Sequence, residues 1–177
     1  FGLGQPTNTA LNSEKIGLIP SEKWKLKTHR IPWQKGDTLN IAIGQGYILT
    51  TPLQLAVMTA RLANGTMVTP NFDITNQTDQ PIFESLNVPK KHLDLVRAGM
   101  FQVVNTPGGT AFRSKTRIKD FVLAGKTGTS QVISKKAREI REETMTTEEK
   151  KRLENHALFV GFAPFDNPRF AVSVIVE

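Results

Sequence analysis

The pattern of apolar positions predicts two helices that pack against a core. The segment Pro52–Asn64 is apolar on nearly all sides, as is typical of a buried helix. Thr51 as N-cap, the proline that follows it and Gln54 as capping-box partner predict its start, and Gly65 as a left-handed cap predicts its end. A second helix is expected from about Pro89 to Val104, with these side chains facing inward: Leu93, Val96, Met100 and Val103.

Short apolar runs predict strands, mostly in the last third of the chain. Phe121–Ala124 is interpreted as a buried strand, followed by Gly125 as a hinge and then by the polar sequence Lys126-Thr127-Gly128-Thr129-Ser130-Gln131. Gly128 is expected to allow a second chain close to the backbone. His156–Pro164 and Arg169–Val176 predict a hairpin, with residues 165–168 as its turn. Together with residues 121–133 they predict three consecutive antiparallel strands.

The remaining segments show weaker patterns. The first forty residues are punctuated by Gly, Pro and Lys, which predicts an irregular segment anchored by Trp24 and Trp33. After a turn at 36–38, Leu39–Ile43 is expected to be strand-like. Residues 66–88 are interpreted as a loop in which two short strands can form, and residues 105–111 as a compact turn. The highly charged residues 134–155 predict two short helices, Lys135–Glu143 and Thr147–Asn155. The chain is thus expected to be part of one domain, with a core (1–133), a charged helical excursion (134–155) and a terminal hairpin (156–177).

Composition narrows the possible chemistry. A chain of 177 residues with 38% hydrophobic and 22% charged residues is ordinary for one soluble globular domain. It has no cysteine, which excludes a disulfide, a thiolate nucleophile and a cysteine zinc site. The three histidines are far apart in the chain and give no metal signal, so no metal or cofactor is expected. No apolar run reaches the roughly 18 residues of a membrane span. Because the chain opens on Phe1 without a signal peptide, it is expected to begin inside a longer protein.

A basic cluster raises the question of nucleic-acid binding. The formal net charge is +7, and four cations alternate along one short segment, namely Arg113, Lys115, Arg117 and Lys119. Such a cluster can contact nucleic acid or another anionic polymer. Aromatic residues do not interleave with it, and no nucleic-acid-binding motif accompanies it. A solvated loop face is therefore favoured, and no nucleic-acid partner is expected.

The Lys126-Thr127-Gly128-Thr129 segment carries the most specific chemistry. A lysine ammonium beside two hydroxyls on one strand can hold a peptide carboxylate through charge-assisted hydrogen bonds, each stabilising by roughly 1.5–3 kcal/mol. The strand backbone can also pair with an extended substrate. A phosphate-binding P-loop is excluded, because Asp120 occupies its first glycine position and β-branched residues follow instead of a helix. On the tripeptide alone, an ordinary β-bend remains open.

Several short motifs occur together in a recognisable order. They are Phe1-Gly2-Leu3-Gly4, Gly17-Leu18-Ile19-Pro20, Trp33 with Gly36-Asp37-Thr38, Ile43-Gly44-Gln45-Gly46-Tyr47 with Thr51-Pro52-Leu53-Gln54, Gly109-Thr110-Ala111, and Ala124-Gly125-Lys126-Thr127-Gly128-Thr129. The series resembles the transpeptidase domain of class B penicillin-binding proteins, most closely the elongation type. The resemblance implies an α+β fold: an antiparallel sheet with flanking helices, of the β-lactamase/transpeptidase type, present as roughly its C-terminal half.

The resemblance also implies a function and a site. Such proteins are peptidoglycan D,D-transpeptidases that cross-link stem peptides through a serine acyl-enzyme during cell elongation, and β-lactam antibiotics acylate the same serine. Lys126 would hold the substrate carboxylate and assist proton transfer, while Thr127, Gly128 and Thr129 would bind substrate. The Thr129 backbone N–H would be an oxyanion-hole donor. The implied setting is the periplasmic face of the bacterial inner membrane, with a membrane glycosyltransferase as a partner.

The sequence departs from the family pattern at its catalytic serine. No serine in the chain has a lysine three residues later, although the family requires Ser-x-x-Lys. Ser85-Leu86-Asn87 fits the family's second motif, Ser-x-Asn, but follows the central helix and is interpreted as a chance match. The N-terminal half of the domain and a helix after Val176 are therefore expected to be missing, and the chain alone is expected to be inactive. A catalytically inactive scaffold module in cell-wall assembly is the alternative.

Overall fold

Four α-helices, one short 3-10 helix and three strands make up the described part of the chain. The computed structural model describes residues 1–9, 13–72, 82–131, 145–146, 148 and 153–177. The elements are α1 Glu22–His29, α2 Lys35–Ala42, α3 Pro52–Asn64, α4 Lys90–Asn105, the 3-10 helix Phe112–Ser114, β1 Ala124–Ser130, β2 His156–Ala163 and β3 Phe170–Val176. The helices expected at Lys135–Glu143 and Thr147–Asn155 lie largely outside these residues. None of the described helices is long and apolar enough to cross a bilayer.

The sheet is antiparallel, in the order β1-β2-β3. Lys126 lies opposite Val160, and Val160 lies opposite Ser173. Helix α4 packs on β1, and α3 packs on β2 and β3. The core forms where these layers meet, from the buried residues Ala63, Met100, Ala124 and Phe162. The predicted α+β class, the three consecutive strands and the terminal hairpin are confirmed.

Helix α3 confirms its sequence prediction at both ends. The Thr51 hydroxyl accepts the Gln54 backbone N–H at 3.1 Å, and the Gln54 side-chain oxygen accepts the Thr51 N–H at 3.1 Å. Gly65 ends the helix with φ of 74°, a conformation that favours glycine. These reciprocal bonds satisfy backbone donors that a helix start otherwise leaves without partners.

Helix α4 lies where it was predicted, but its buried face is rotated. Leu93 and Met100 are buried as expected, whereas Val96 is 48% exposed and Val104 is fully buried. The position that turns toward the sheet is Arg97, whose Nη2 donates to the Phe165 carbonyl at 2.8 Å. Its guanidinium also lies 5.5 Å from the centre of the Phe165 ring. A cation therefore occupies the stripe on which the sequence pattern placed a valine.

Two helices replace the irregular and strand-like segments predicted before residue 44. Helix α1 begins after Ser21, whose hydroxyl accepts the Trp24 N–H at 3.2 Å. Helix α2 spans Lys35–Ala42, so the strand expected at Leu39–Ile43 is wrong. The predicted turn at 36–38 is its first helical turn, where the Asp37 carboxylate accepts the Gln34 N–H at 2.7 Å. Side-chain capping, more than apolar periodicity, starts both short helices.

Strand β1 starts later than predicted. Only Ala124 of the run Phe121–Ala124 belongs to it, and Gly125 lies inside the strand opposite Gly161 instead of acting as a hinge. A Cβ on Gly125 would lie 2.3 Å from Cζ of Phe159 and 2.6 Å from the Val160 carbonyl oxygen. At Gly128 the nearest atom, Cβ of Leu158, would be 3.4 Å away, an ordinary contact. Within the sheet a close approach thus occurs at Gly125, and the approach of a second chain to Gly128 stays a prediction.

Gln54 ties the N-terminal segment to α3. Its side chain is buried, and Nε2 donates to the carbonyls of Gln5 at 2.8 Å and Ile16 at 2.9 Å. A backbone bridge between Leu18 and Leu49 continues the same attachment. One side chain therefore starts the central helix and also holds the preceding irregular segment against it.

Replacing Gln54 by methionine tests this attachment. We expect the free energy of unfolding to fall by about 2 kcal/mol, because buried carbonyls and an N–H lose their partners while the side-chain volume is kept. Urea unfolding of the two proteins, followed by circular dichroism, measures the difference. Gln102→Met, on the exposed side of α4, is the matched control and should unfold like the unchanged protein. Equal midpoints for the Gln54 and Gln102 variants would contradict the prediction.

Candidate functional site

The Lys-Thr-Gly segment lies on β1, an end strand of the described sheet. Ala124 and Gly125 are buried, whereas Lys126, Gly128 and Thr129 are exposed and Thr127 is partly exposed. The strand is thus anchored in the core at its start and leaves it as the polar residues begin. Because β1 pairs with β2 alone in the part of the sheet that the structure describes, its second edge has backbone groups available for another extended chain.

The Lys126 ammonium remains available for a ligand. Its Nζ donates to the Thr127 carbonyl at 2.8 Å and lies 3.4 Å from the Thr127 hydroxyl. Within the described ranges, Lys126 forms no ion pair with a carboxylate. An ammonium has three N–H donors, so it can bind a further acceptor while its contact with the backbone is kept. A positive charge that no carboxylate of the described residues neutralises favours an anionic ligand.

A second hydroxyl reaches this strand from the turn after α4. The Thr110 and Thr127 hydroxyl oxygens are 2.9 Å apart. The turn is held in place by the Asn105 side chain, whose Nδ2 donates to the Leu123 carbonyl at 2.8 Å, and by the Ala111 N–H, which donates to the Val103 carbonyl at 3.1 Å. Gly109-Thr110-Ala111 was recognised as a motif, but no role in the site was predicted for Thr110. The structure adds it to the site.

A third segment reaches β1 through Gln45. Its Nε2 donates to the Thr129 carbonyl at 2.8 Å, across 84 positions of sequence. Gly44 and Gly46 flank it with φ of 75° and 82°, so the loop takes a conformation that favours glycine. The alternation of glycine around a single polar residue was the available signal, and the sequence interpretation did not assign Gln45 to the site.

Other candidate residues are not brought to this strand. Ser85 bridges to Thr66, and its hydroxyl accepts the Asn87 N–H at 3.4 Å, and neither of these contacts involves β1. The four cations of the basic cluster are all exposed, in and after the 3-10 helix. No group of His, Asp or Glu within the described residues could hold a metal ion. The site as described can bind an anion and an extended chain, but it contains no Ser-x-x-Lys nucleophile.

A family comparison decides what this arrangement belongs to. The family described as penicillin binding protein transpeptidase domain matches residues 1–177. The chain belongs to this transpeptidase family. The resemblance inferred from the ordered motifs is thereby confirmed.

Relatives of this penicillin-binding-protein domain support the elongation type. The chain is 38% identical to the peptidoglycan D,D-transpeptidase MrdA of Haemophilus influenzae and 34% identical to that of Escherichia coli K12. All of this chain is covered in both alignments, but only 28% and 29% of those relatives. The chain therefore spans less than a third of the curated relatives that it matches.

Solved structures agree with the fold and the type. The chain is similar to penicillin-binding protein PBP2 of Helicobacter pylori in its complex with MreC, with a TM-score of 0.81 and 36% identity over 99% of this chain and 30% of that one. It is also similar to Pseudomonas aeruginosa PBP2 in complex with WCK 5153, with a TM-score of 0.78 and 38% identity over 99% of this chain and 37% of that one.

Proposed function

We propose that this chain is the substrate-binding part of a peptidoglycan D,D-transpeptidase that works in cell elongation. The catalytic serine, in a Ser-x-x-Lys motif, is supplied by polypeptide outside residues 1–177. The observation that carries the proposal is an ammonium on an end strand with no carboxylate partner among the described residues, beside a Thr127 hydroxyl that the Thr110 hydroxyl also contacts. The names of the relatives that match the whole chain support it.

The proposed binding step uses the charge of Lys126. Its ammonium and the hydroxyls of Thr127 and Thr129 hold the terminal carboxylate of a stem peptide, or the equivalent carboxylate of a β-lactam. Charge-assisted hydrogen bonds of this kind are roughly twice as strong as neutral ones. Thr110 keeps the Thr127 hydroxyl in place through the 2.9 Å contact. The carboxylate therefore sets how far the substrate enters along β1.

The proposed chemical step is acyl transfer at the peptide carbonyl next to that carboxylate. The serine oxygen bonds to the carbonyl carbon, the proton of the serine passes to the leaving amine, and an ester remains on the enzyme. The acceptor amine of a second stem peptide then takes the acyl group and restores the serine. The Thr129 N–H stabilises the oxyanion that forms in both steps, an interaction worth about 2.7–4 kcal/mol in comparable sites. Lys126 also assists proton transfer through its positive charge.

The proposed setting follows from the same assignment. The parent protein acts at the periplasmic face of the bacterial inner membrane, beside a membrane glycosyltransferase of the elongation machinery. The neighbouring Helicobacter pylori structure is a complex with MreC, which supports a protein of this type working in an assembly. The remaining part of the same domain is its obligatory intramolecular partner.

Labelling with a fluorescent penicillin tests the proposed function. We expect the complete protein that carries this chain to form a covalent adduct that survives denaturing gel electrophoresis, and we expect residues 1–177 alone to form none. Excess unlabelled penicillin should abolish the adduct. An adduct on the isolated chain would show that a serine within it is the nucleophile. Absence of an adduct on the complete protein would refute the enzyme assignment.

The alternative is an inactive penicillin-binding-like scaffold of cell-wall assembly. It predicts that the polypeptide upstream of Phe1 lacks Ser-x-x-Lys and that the complete protein resists labelling. Because both proteins would share the described fold, the upstream sequence and the labelling result separate them. The enzyme is favoured because Lys126 keeps its charge exposed and Thr110 orders the neighbouring hydroxyl.

A further inference from the structure

The side chain of Gln45 contacts the far end of the Lys-Thr-Gly segment. Its Nε2 donates to the Thr129 carbonyl at 2.8 Å, and this carbonyl belongs to the residue whose N–H is the proposed oxyanion donor. In the part of the sheet that the structure describes, β1 pairs with β2 alone, and this side-chain hydrogen bond is a further restraint on the strand. A side-chain amide is suited to holding a backbone carbonyl in one position, because it is an uncharged and directional hydrogen-bond donor.

The loop that carries Gln45 is itself held against the end of α2. The Gln45 N–H donates to the Asn40 carbonyl at 2.8 Å, which joins the loop to the end of α2. A Cβ at Gly46 would lie 3.3 Å from Cβ of Asn40, so the backbone passes close to that helix. The position of Gln45 is thus coupled to the position of α2.

Tyr47, two residues further on, packs into a cluster formed with α1. Its ring centre lies 5.2 Å from that of Trp24 at an angle of 61°, and 4.9 Å from that of His29 at 32°. Trp24 and His29 are also in edge contact with each other, at 5.2 Å. Aromatic pairs in such geometries stabilise by more than their buried area alone. We call Trp24, His29 and Tyr47 the ring cluster.

A buried ion pair connects the ring cluster to α2. The Lys25 ammonium lies 2.5 Å from the Asp37 carboxylate and 5.9 Å from the centre of the Tyr47 ring. The Lys25 side chain is only 6% exposed, and the hydrogen bond from Lys25 is the main reason that the pKa of Asp37 is lowered. The same carboxylate caps α2 through the Gln34 N–H. Removal of either charge would leave the other poorly solvated, so the pair holds α1 and α2 together.

We propose that Gln45 is a positioning residue for the transpeptidase reaction, and that the ring cluster and the Lys25–Asp37 pair keep it against β1. The inference rests on the proposed function, since it assigns Gln45 a role in placing the Thr129 N–H. The Gln45 amide holds the Thr129 carbonyl, whose carbon is bonded to the same Cα as the Thr129 nitrogen, so it restrains the residue that carries the proposed oxyanion donor. A small displacement of such a donor lowers the rate of the chemical step more than it weakens binding.

Gln45→Met in the complete protein is the first test. Methionine keeps the length and volume of the side chain but cannot donate to the Thr129 carbonyl. We expect the rate constant for acylation by a fluorescent penicillin to fall about tenfold, with the dissociation constant of the noncovalent complex changed less than about twofold. Gln102→Met, exposed on α4, is the matched control and should leave both constants unchanged.

Gln45→Glu gives a second readout that a purely structural role would not move. At neutral pH its carboxylate would face the Thr129 carbonyl oxygen and repel it, whereas the protonated acid can donate to that oxygen. We therefore expect acylation of Gln45→Glu, relative to the unchanged protein at each pH, to rise as the pH is lowered from about 7.5 to about 5, because the facing carbonyl oxygen disfavours the charged form and so raises the pKa of the introduced carboxyl. The same ratio for Gln45→Met should stay constant over this range.

The outcomes separate this inference from the proposed function. If the unchanged protein is acylated and both Gln45 variants are acylated at the same rate as it is, the positioning role is overturned and the transpeptidase assignment stands. Failure of the unchanged protein to be acylated would overturn both. A slower Gln45→Met whose deficit lies entirely in the dissociation constant, or a Gln45→Glu ratio that does not rise at low pH, would also overturn the positioning role. A selective fall in the acylation rate constant with recovery at low pH supports it.

Discussion

Replacing Lys126 by methionine in the complete protein is expected to slow acylation by a fluorescent penicillin about 100-fold, because the charge that binds the ligand carboxylate and assists proton transfer is lost. The Lys126 side chain is exposed and its hydrogen bonds are to Thr127 alone among the described residues. The substitution should therefore leave the thermal unfolding midpoint almost unchanged. Stopped-flow acylation with and without the substitution measures the effect.

Lys119→Met is the matched control for this experiment. It removes one positive charge from an exposed lysine in the loop before β1, so it reproduces the change in net charge without altering the strand. We expect acylation at nearly the original rate. Acylation of the Lys126 variant at the original rate would contradict the role assigned to Lys126. Acylation of both variants slowed to the same extent would also contradict it, and would indicate that net charge alone steers the negatively charged antibiotic.

Replacing Gly125 by alanine is expected to lower the free energy of unfolding by about 3 kcal/mol, because the added methyl group would overlap the Phe159 ring and the Val160 carbonyl oxygen. The strand cannot move away easily, since Gly125 lies opposite Gly161 in the sheet and neighbours the fully buried Ala124. Chemical unfolding followed by tryptophan fluorescence and circular dichroism measures the loss.

Gly128→Ala provides the comparison on the same strand. The added Cβ would make only an ordinary contact with Leu158 at 3.4 Å, so we expect the free energy of unfolding to change by less than about 1 kcal/mol. A Gly128 variant that is as unstable as the Gly125 variant would mean that the strand requires glycine for its conformation. A Gly125 variant of unchanged stability would show that the Phe159 ring moves aside without cost.

Local chemistry explains which elements could be predicted from sequence. Helix α3 was predicted to the residue because the capping box of Thr51 with Gln54, the apolar face and Gly65 all indicate the same boundaries. The hairpin of β2 and β3 was predicted because long apolar runs flank a turn that contains proline. In both cases the decisive interactions lie within a few residues of each other along the chain.

The elements that were predicted wrongly depend on contacts between residues that are distant in the sequence or on helices that are too short to show a clear pattern. Helices α1 and α2 are short, and the apolar side chains of the run that predicted a strand are exposed: Leu39, within α2, is 70% exposed, and Ile43, just beyond its end, is 75% exposed. Apolar periodicity therefore misled the interpretation. Both helices are joined by the ion pair of Lys25 with Asp37, which spans twelve positions of sequence and could not be inferred from spacing. The inward position of Arg97 in α4 likewise depends on contact with Phe165, a residue of the distant hairpin turn.

The same distinction between local and distant interactions applies to the candidate site. The amino-acid sequence by itself determined the chemistry of Lys126, Thr127 and Thr129 and their place on a strand, because residue types and local β-propensity suffice for both. Only the tertiary structure decided that Thr110 and Gln45 meet that strand, since hydrogen bonds between segments separated by 17 and 84 positions exist only once the chain has folded. It also decided that the neighbouring strand leaves no room for a Cβ at Gly125, because the atoms that such a Cβ would meet are side-chain and carbonyl atoms of that strand.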